Sequence, residues 1–280
     1  MRSIQRIVRG REILEGAGVR LRRLFSDDLA EMFDPFLLLD VFDSQDPSDY
    51  VKGFPWHPHR GIETVTYLLD GLVEHGDSLG NKGAIAAGSC QWMTAGSGII
   101  HQEMPQESER LLGMQLWVNL PRRSKMTPPV YRDLTPDRIP TASVKGGEVR
   151  VLAGECAGVT GPVSGLAVNP TFLDVTLTKE GSFHLGVDPS DTVFAYIVSG
   201  QGLWGGREDD LSREGDCVLL GDGAEVKAEA WDTPWRFFLF CGKPIQEPIA
   251  WRGPIVMNTE AELDEAFSEL REGAFLREGR

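Results

Sequence analysis

Cysteine is scarce in this sequence of 280 residues: Cys90, Cys156, Cys217 and Cys241 lie far apart and no two form a CxxC pair. That argues against a disulfide framework and against a closed structural zinc site. Reduced, mostly buried thiols and a cytoplasmic location are expected instead. Positive charge is also in deficit, with 28 Lys and Arg against 42 Asp and Glu and a formal net charge of −14. Phosphate backbones reward positive potential, so direct nucleic-acid binding is not expected. No apolar run approaches the length of a membrane span. The basic opening MRSIQRIVRG is not followed by an apolar stretch and small-residue cleavage site, so no membrane segment and no secretory signal is expected. With 32 glycines and 17 prolines, long helices through the middle of the chain are hard to build. The glycine-rich GDSLGNKGAIAAGSC lacks the GKS/T of a phosphate loop, and no Ser-His-Asp or Cys-His arrangement follows from spacing.

What is present is a series of short apolar or alternating runs broken by Gly, Asp and Pro. VTYLLDG, GMQLWVNL, LDVTLTKEGSFHLGV, TVFAYIVSG, DCVLLGDGAEVKAEA and WRFFLF read as strands of an all-β chain built from sandwiches or barrels. One set occupies residues 60–120 and a similar set residues 172–241. The proline- and charge-rich PRRSKMTPPVYRDLTPDRIP between them reads as a surface connection, packing through Pro129 and Tyr131. The expected division is therefore two small β-barrel domains, 1–135 and 136–280. The second ends in a short helix, whose capping box is Thr259 with Glu262 and whose apolar face is Leu263, Phe267 and Leu270.

Only five histidines occur, and three lie in two neighbourhoods, FPWHPHRGIETVTYLLDG and MTAGSGIIHQEM. Residues two apart on an extended segment point to one side, so His57 pairs with His59, and His101 with Glu103. A lone HxH is a weak signal. Two such pairs on adjacent strands would bring three imidazoles and one carboxylate together, a set suited to Fe, Ni, Cu, Co, Mn or Zn with a position left for water or substrate. Glu63, four residues beyond His59, is expected to face the same cavity as an outer partner, a further ligand or a base, or else to be a turn residue. Phe54, Trp56, Met93, Met114 and Trp117 are candidates for the pocket wall, or simply core. His75 and His184 have no partner at ligand spacing, and the second half contains no HxH.

HPHRGIETVTYLLDG, GSGIIHQE and the late GKPIQEPIAWRGPIVMNTEAEL together resemble the pirin family of the cupin superfamily, from about residue 15 to the C-terminus. The resemblance implies two cupin-type, jelly-roll β-barrels facing one another, with a metal in the N-terminal barrel only. It also implies that His57, His59, His101 and Glu103 match the family's ligands, with iron, as Fe(II), the usual ion. The activity implied is that of a quercetin 2,3-dioxygenase, in which a flavonol and O2 are substrates, the central ring opens and carbon monoxide leaves. Glu103 would then be ligand and proton acceptor, with Glu63 the reserve base. The alternative is a metal-containing interaction protein whose partner is a transcription factor or metabolic enzyme; an enzyme for another enolisable substrate is a third reading. A monomer is expected, because two barrels can cover each other's apolar faces.

Overall fold

The structure is a computed structural model and describes residues 1–277. The runs read from the sequence are strands, and they gather into two compact units. The first unit comprises Arg11–Pro136 and the segment from Ile245 onward. Its larger sheet has seven antiparallel strands in the order Val130–Leu134, Cys90–Thr94, Ile62–Asp70, Leu111–Asn119, Phe36–Ser44, Val19–Phe25 and Arg11–Glu15. Its smaller sheet has four, in the order Phe54–His59, Ile99–Pro105, Leu72–Asp77 and Lys82–Ala86. Ile99–Pro105 shows why these letters make a sheet: Ile99, His101, Glu103 and Pro105 are buried while the residues between them are partly exposed.

The second unit comprises Met1–Gly10 and Asp137–Pro244. Its sheet runs Ile4–Val8, Cys217–Leu220, Thr192–Ser199, Trp235–Gly242, Thr171–Gly186, Glu225–Ala230, Gln201–Trp204 and Leu211–Arg213, with Thr141–Ala153 also paired to Thr171–Gly186. Trp204, Trp235, Phe237 and Phe183 fill its core.

Membership of the units departs from the division at residue 135 in both termini. Ile4–Val8 pairs with Cys217–Leu220 and so belongs to the second unit. The C-terminal helix, Glu260–Glu272, belongs to the first, where Leu263 and Ala266 pack with Ala250, Ile255, Met257 and Phe275. Local signals set where a strand or helix begins; the sheet that receives its apolar face is a long-range matter. The capping box itself is present, with both Thr259–Glu262 bonds made and Gly273 closing the helix in the left-handed conformation. The connecting segment is also more ordered than a surface loop, because its Val130–Leu134 pairs with Cys90–Thr94 at the sheet edge.

All four cysteines are buried. Among the described residues no helix is long and apolar enough to cross a membrane. His184 is exposed, 3.7 Å from Glu225, whereas His75 is buried and stacks on Tyr131.

Candidate metal centre

The antiparallel register brings the two histidine neighbourhoods together. His57 lies directly across from His101, and His59 across from Ile99. A register shift between His101 and Glu103 then sets Glu103 opposite Phe54. At the end of this strand the chain must turn sharply into Ile62–Asp70. Gly61 makes the turn with φ +78°, where a Cβ would collide with the Val256 carbonyl oxygen. The outcome is that one ring nitrogen from each of His57, His59 and His101 lies within 4.8 Å of the others.

The partners of the remaining ring nitrogens define what the cluster can bind. The Nδ1 atoms of His57 and His59 lie 2.9 Å from the Pro55 carbonyl oxygen and 3.2 Å from that of Pro254. Carbonyls only accept, so both Nδ1 atoms carry the hydrogen, which leaves bare lone pairs on the two Nε2 atoms 3.1 Å apart. His101 Nδ1 lies 3.2 Å from the Tyr131 hydroxyl, and its Nε2 is buried without a hydrogen-bond partner. Burial, and next the neighbouring imidazoles, push the pKa values of His59 and His101 well below the usual histidine range, so both rings are neutral. The Nε2 atoms of His57 and His59 and the unpartnered Nε2 of His101 converge on one space, where a cation would satisfy all three. The donor set therefore fits a metal ion, with each outer nitrogen already anchored.

Glu103 is not part of the nitrogen cluster. Its carboxylate accepts from Gln115 Nε2 at 2.9 and 3.2 Å and from Thr66 Oγ1 at 3.1 Å. The Gln115 amide is turned this way because its oxygen accepts from Trp117 Nε1 at 3.2 Å. Glu103 nevertheless shares a cavity of about 420 Å³ with His57, His59, Phe54, Gln115, Trp117 and Trp251. A further stretch of its wall is Arg23, held bidentately by Asp40 at 2.9 and 2.8 Å and by Glu15 at 2.9 Å.

Glu63 does not line this cavity. It sits in the other sheet of the unit, accepting from Thr94 Oγ1 at 2.7 Å and Trp92 Nε1 at 3.1 Å. Even spacing from His59 has no meaning across the Gly61 turn, which moves the chain to a second sheet. Burial raises the Glu63 pKa, against the pull of these two hydrogen bonds. Of the expected wall residues, Phe54 and Trp117 line the cavity, Met93 and Met114 are core, and Trp56 is 55% exposed. Sequence reading missed Gln115, although it shares the inward face of its strand with Trp117, two residues on. It also missed Tyr131 as the partner of His101, and Trp251 and Pro254, for which no local signal exists.

Comparison with known families agrees with this geometry. The family model described as Pirin matches residues 18–118, and that described as Pirin C-terminal cupin domain matches residues 172–276. A pirin-like protein of Caulobacter vibrioides is 43% identical over 98% of this chain and 99% of its own length. The chain belongs to the pirin family. The pirin of Rattus norvegicus is 41% identical over 94% of this chain and 90% of its own. Among solved structures, a quercetin 2,3-dioxygenase from Acinetobacter baumannii superposes with a TM-score of 0.88 at 34% identity, covering 98% of both chains.

Proposed function

We propose that this pirin-family protein is a metal-dependent dioxygenase of the quercetin 2,3-dioxygenase type. The reaction joins a flavonol and O2 and yields a ring-opened ester and one carbon monoxide, with both oxygen atoms retained in the ester. The observation that carries the reading is the set of three converging, bare imidazole nitrogens, two of whose rings line a cavity together with a carboxylate and three aromatic side chains. The likeness to the Acinetobacter baumannii dioxygenase over nearly the whole chain supports it.

His57, His59 and His101 would hold the ion, with Fe(II) the first choice and Ni, Cu, Co, Mn or Zn the alternatives. When bound, the ion supplies Lewis acidity that makes an enolic hydroxyl easier to ionise. The chain does the rest. Phe54, Trp117 and Trp251 offer flat apolar surface to a planar ring system. The Glu103 carboxylate is the proton acceptor for the flavonol 3-hydroxyl, and Gln115 and Thr66 keep it oriented. In this role Glu103 works beside the three nitrogens; Glu63, away from the cavity, braces Trp92 and Thr94.

The deciding experiment is anaerobic loading with Fe(II), followed by quercetin and O2, with flavonol loss and carbon monoxide recorded together. Equimolar loss and release in the wild type, absent in His59→Ala, is the expected result. Fully loaded protein that leaves quercetin intact would overturn the reading. That result would favour the second one, metal-tuned binding of a protein partner, which rests on the exposed Trp56 indole immediately before His57.

A further inference from the structure

Three consecutive residues at the end of the first histidine strand are tied to the C-terminal segment of the same unit, His59 and Arg60 directly and Gly61 through Lys125. The His59 ring is oriented by the Pro254 carbonyl. Arg60, only 2% exposed, pairs with Glu269 at 2.6 Å and donates to the carbonyl oxygens of Phe275 at 2.8 Å and Ser97 at 2.7 Å. Its guanidinium stands 4.2 Å from the centroid of the Phe275 ring, and its own carbonyl accepts from Val256 N at 3.1 Å. The Gly61 carbonyl accepts at 2.9 Å from the buried Lys125 ammonium, which also donates to Val256 O at 2.8 Å and Asn119 Oδ1 at 2.6 Å.

Docking an amphipathic helix does not call for this. Leu263, Ala266 and Phe275 already bury an apolar face. A guanidinium and an ammonium buried under that helix and hairpin are costly unless each donor is matched, and here the matching partners lie beside one metal-site histidine.

We propose that residues 254–275 act as a clamp that fixes His59 within the three-histidine cluster, with the Arg60–Glu269 ion pair as its anchor. Arg60, Lys125 and Glu269 are positioning residues, acting on the metal through the backbone of residues 59–61 and through Pro254. The inference rests on the cluster being a metal site, and it is independent of the substrate. Because coupling is reciprocal, a clamp that tightens the metal must itself be tightened by it.

The probe is Co(II) alone, followed by its visible absorption and by competition with a chelator, on the full-length chain. Glu269 is partly exposed, so Glu269→Ala is expected to fold. It should bind Co(II) about 10- to 100-fold more weakly than wild type, with an altered spectrum, as loss of an outer-shell support does elsewhere. Glu269→Gln, which keeps an acceptor for Arg60, should fall between the two. Phe267→Ala, which trims the apolar face of the helix, should lower the unfolding temperature and leave Co(II) affinity unchanged. Co(II) should also slow amide exchange in Glu260–Glu272 in the wild type more than in Glu269→Ala. Wild-type affinity and spectrum in Glu269→Ala would overturn the clamp, and so would an equal loss of affinity in Phe267→Ala, which would leave the anchor no special part. A wild type that binds no Co(II) and no Fe(II) would remove the metal site, and the clamp with it.

Discussion

In the histidine-bearing unit, strands of the two sheets turn His59, His101, Glu103, Thr66 and Gln91 inward, all buried. In the other unit, strands of the same antiparallel kind turn Val175, Leu177, Phe183, Val193, Phe237 and Leu239 inward, around Trp204 and Trp235. The second interior is filled by apolar side chains, with Trp204 Nε1 satisfied by Ser212 at 2.8 Å. The first interior keeps an open cavity whose polar groups have named partners: Glu103 has Gln115 and Thr66, Gln91 has Asp133, and Nδ1 of His57, His59 and His101 each has its oxygen. At its centre His101 Nε2 is buried without a partner, as is His75 Nδ1 elsewhere in the unit. Among the described residues, no group of ligand atoms like the three imidazoles forms in the second unit. A fold of this kind therefore accepts either a packed core or a site, and a polar interior survives only where side chains and backbone satisfy it.

The comparison breaks most decisively at the lone pairs. His101→Ala is expected to lose Fe(II) or Co(II) by more than about 100-fold, beyond what outer partners contribute; metal content after dialysis measures it, and retained metal would dissolve the contrast between the units. In the packed interior, Phe237→Ala should cost about 3–5 kcal/mol in urea unfolding through the cavity it leaves, with unchanged metal content per folded molecule. Metal loss there would mean that the two interiors are not separate. Tyr131→Phe removes the hydroxyl on His101 Nδ1 and should weaken metal binding by about tenfold, while thermal unfolding of the metal-free chain stays near wild type. The smallest effect is a pH slope. Burial pushes the Lys125 ammonium down to about 7 from its ordinary 10.5. The unfolded chain then holds more protons than the folded one between those values, so Lys125 makes stability rise with pH across that window. Lys125→Met should flatten the slope in urea titrations at pH 7 and 9.5; an unchanged slope would assign it to other groups.

Much of the site was legible because it depends on local periodicity. His57 with His59, and His101 with Glu103, share a side because a strand alternates every two residues, and an antiparallel partner then supplies the rest. Glu63 was misplaced because the same counting was carried across Gly61, where the chain leaves one sheet for another. Gln115 could have been found by applying the rule once more, two residues before Trp117. Tyr131, hidden in a proline-rich stretch, gave no sign that Val130–Leu134 would pair with Cys90–Thr94.

By itself the sequence determined what one strand or one helical turn can decide: the all-β character, the two histidine pairs, the capping box at Thr259, and the absence of cysteine ligands. Tertiary structure decided which partners these pieces meet. It drew Ile4–Val8 into the second unit and the C-terminal helix onto the first, set Pro254 against His59 and Glu269 against Arg60, and turned Glu103 toward Gln115. The reason is that alternation and capping are set within a few residues, whereas burial and the matching of buried polar groups join residues as far apart as Arg60 and Phe275.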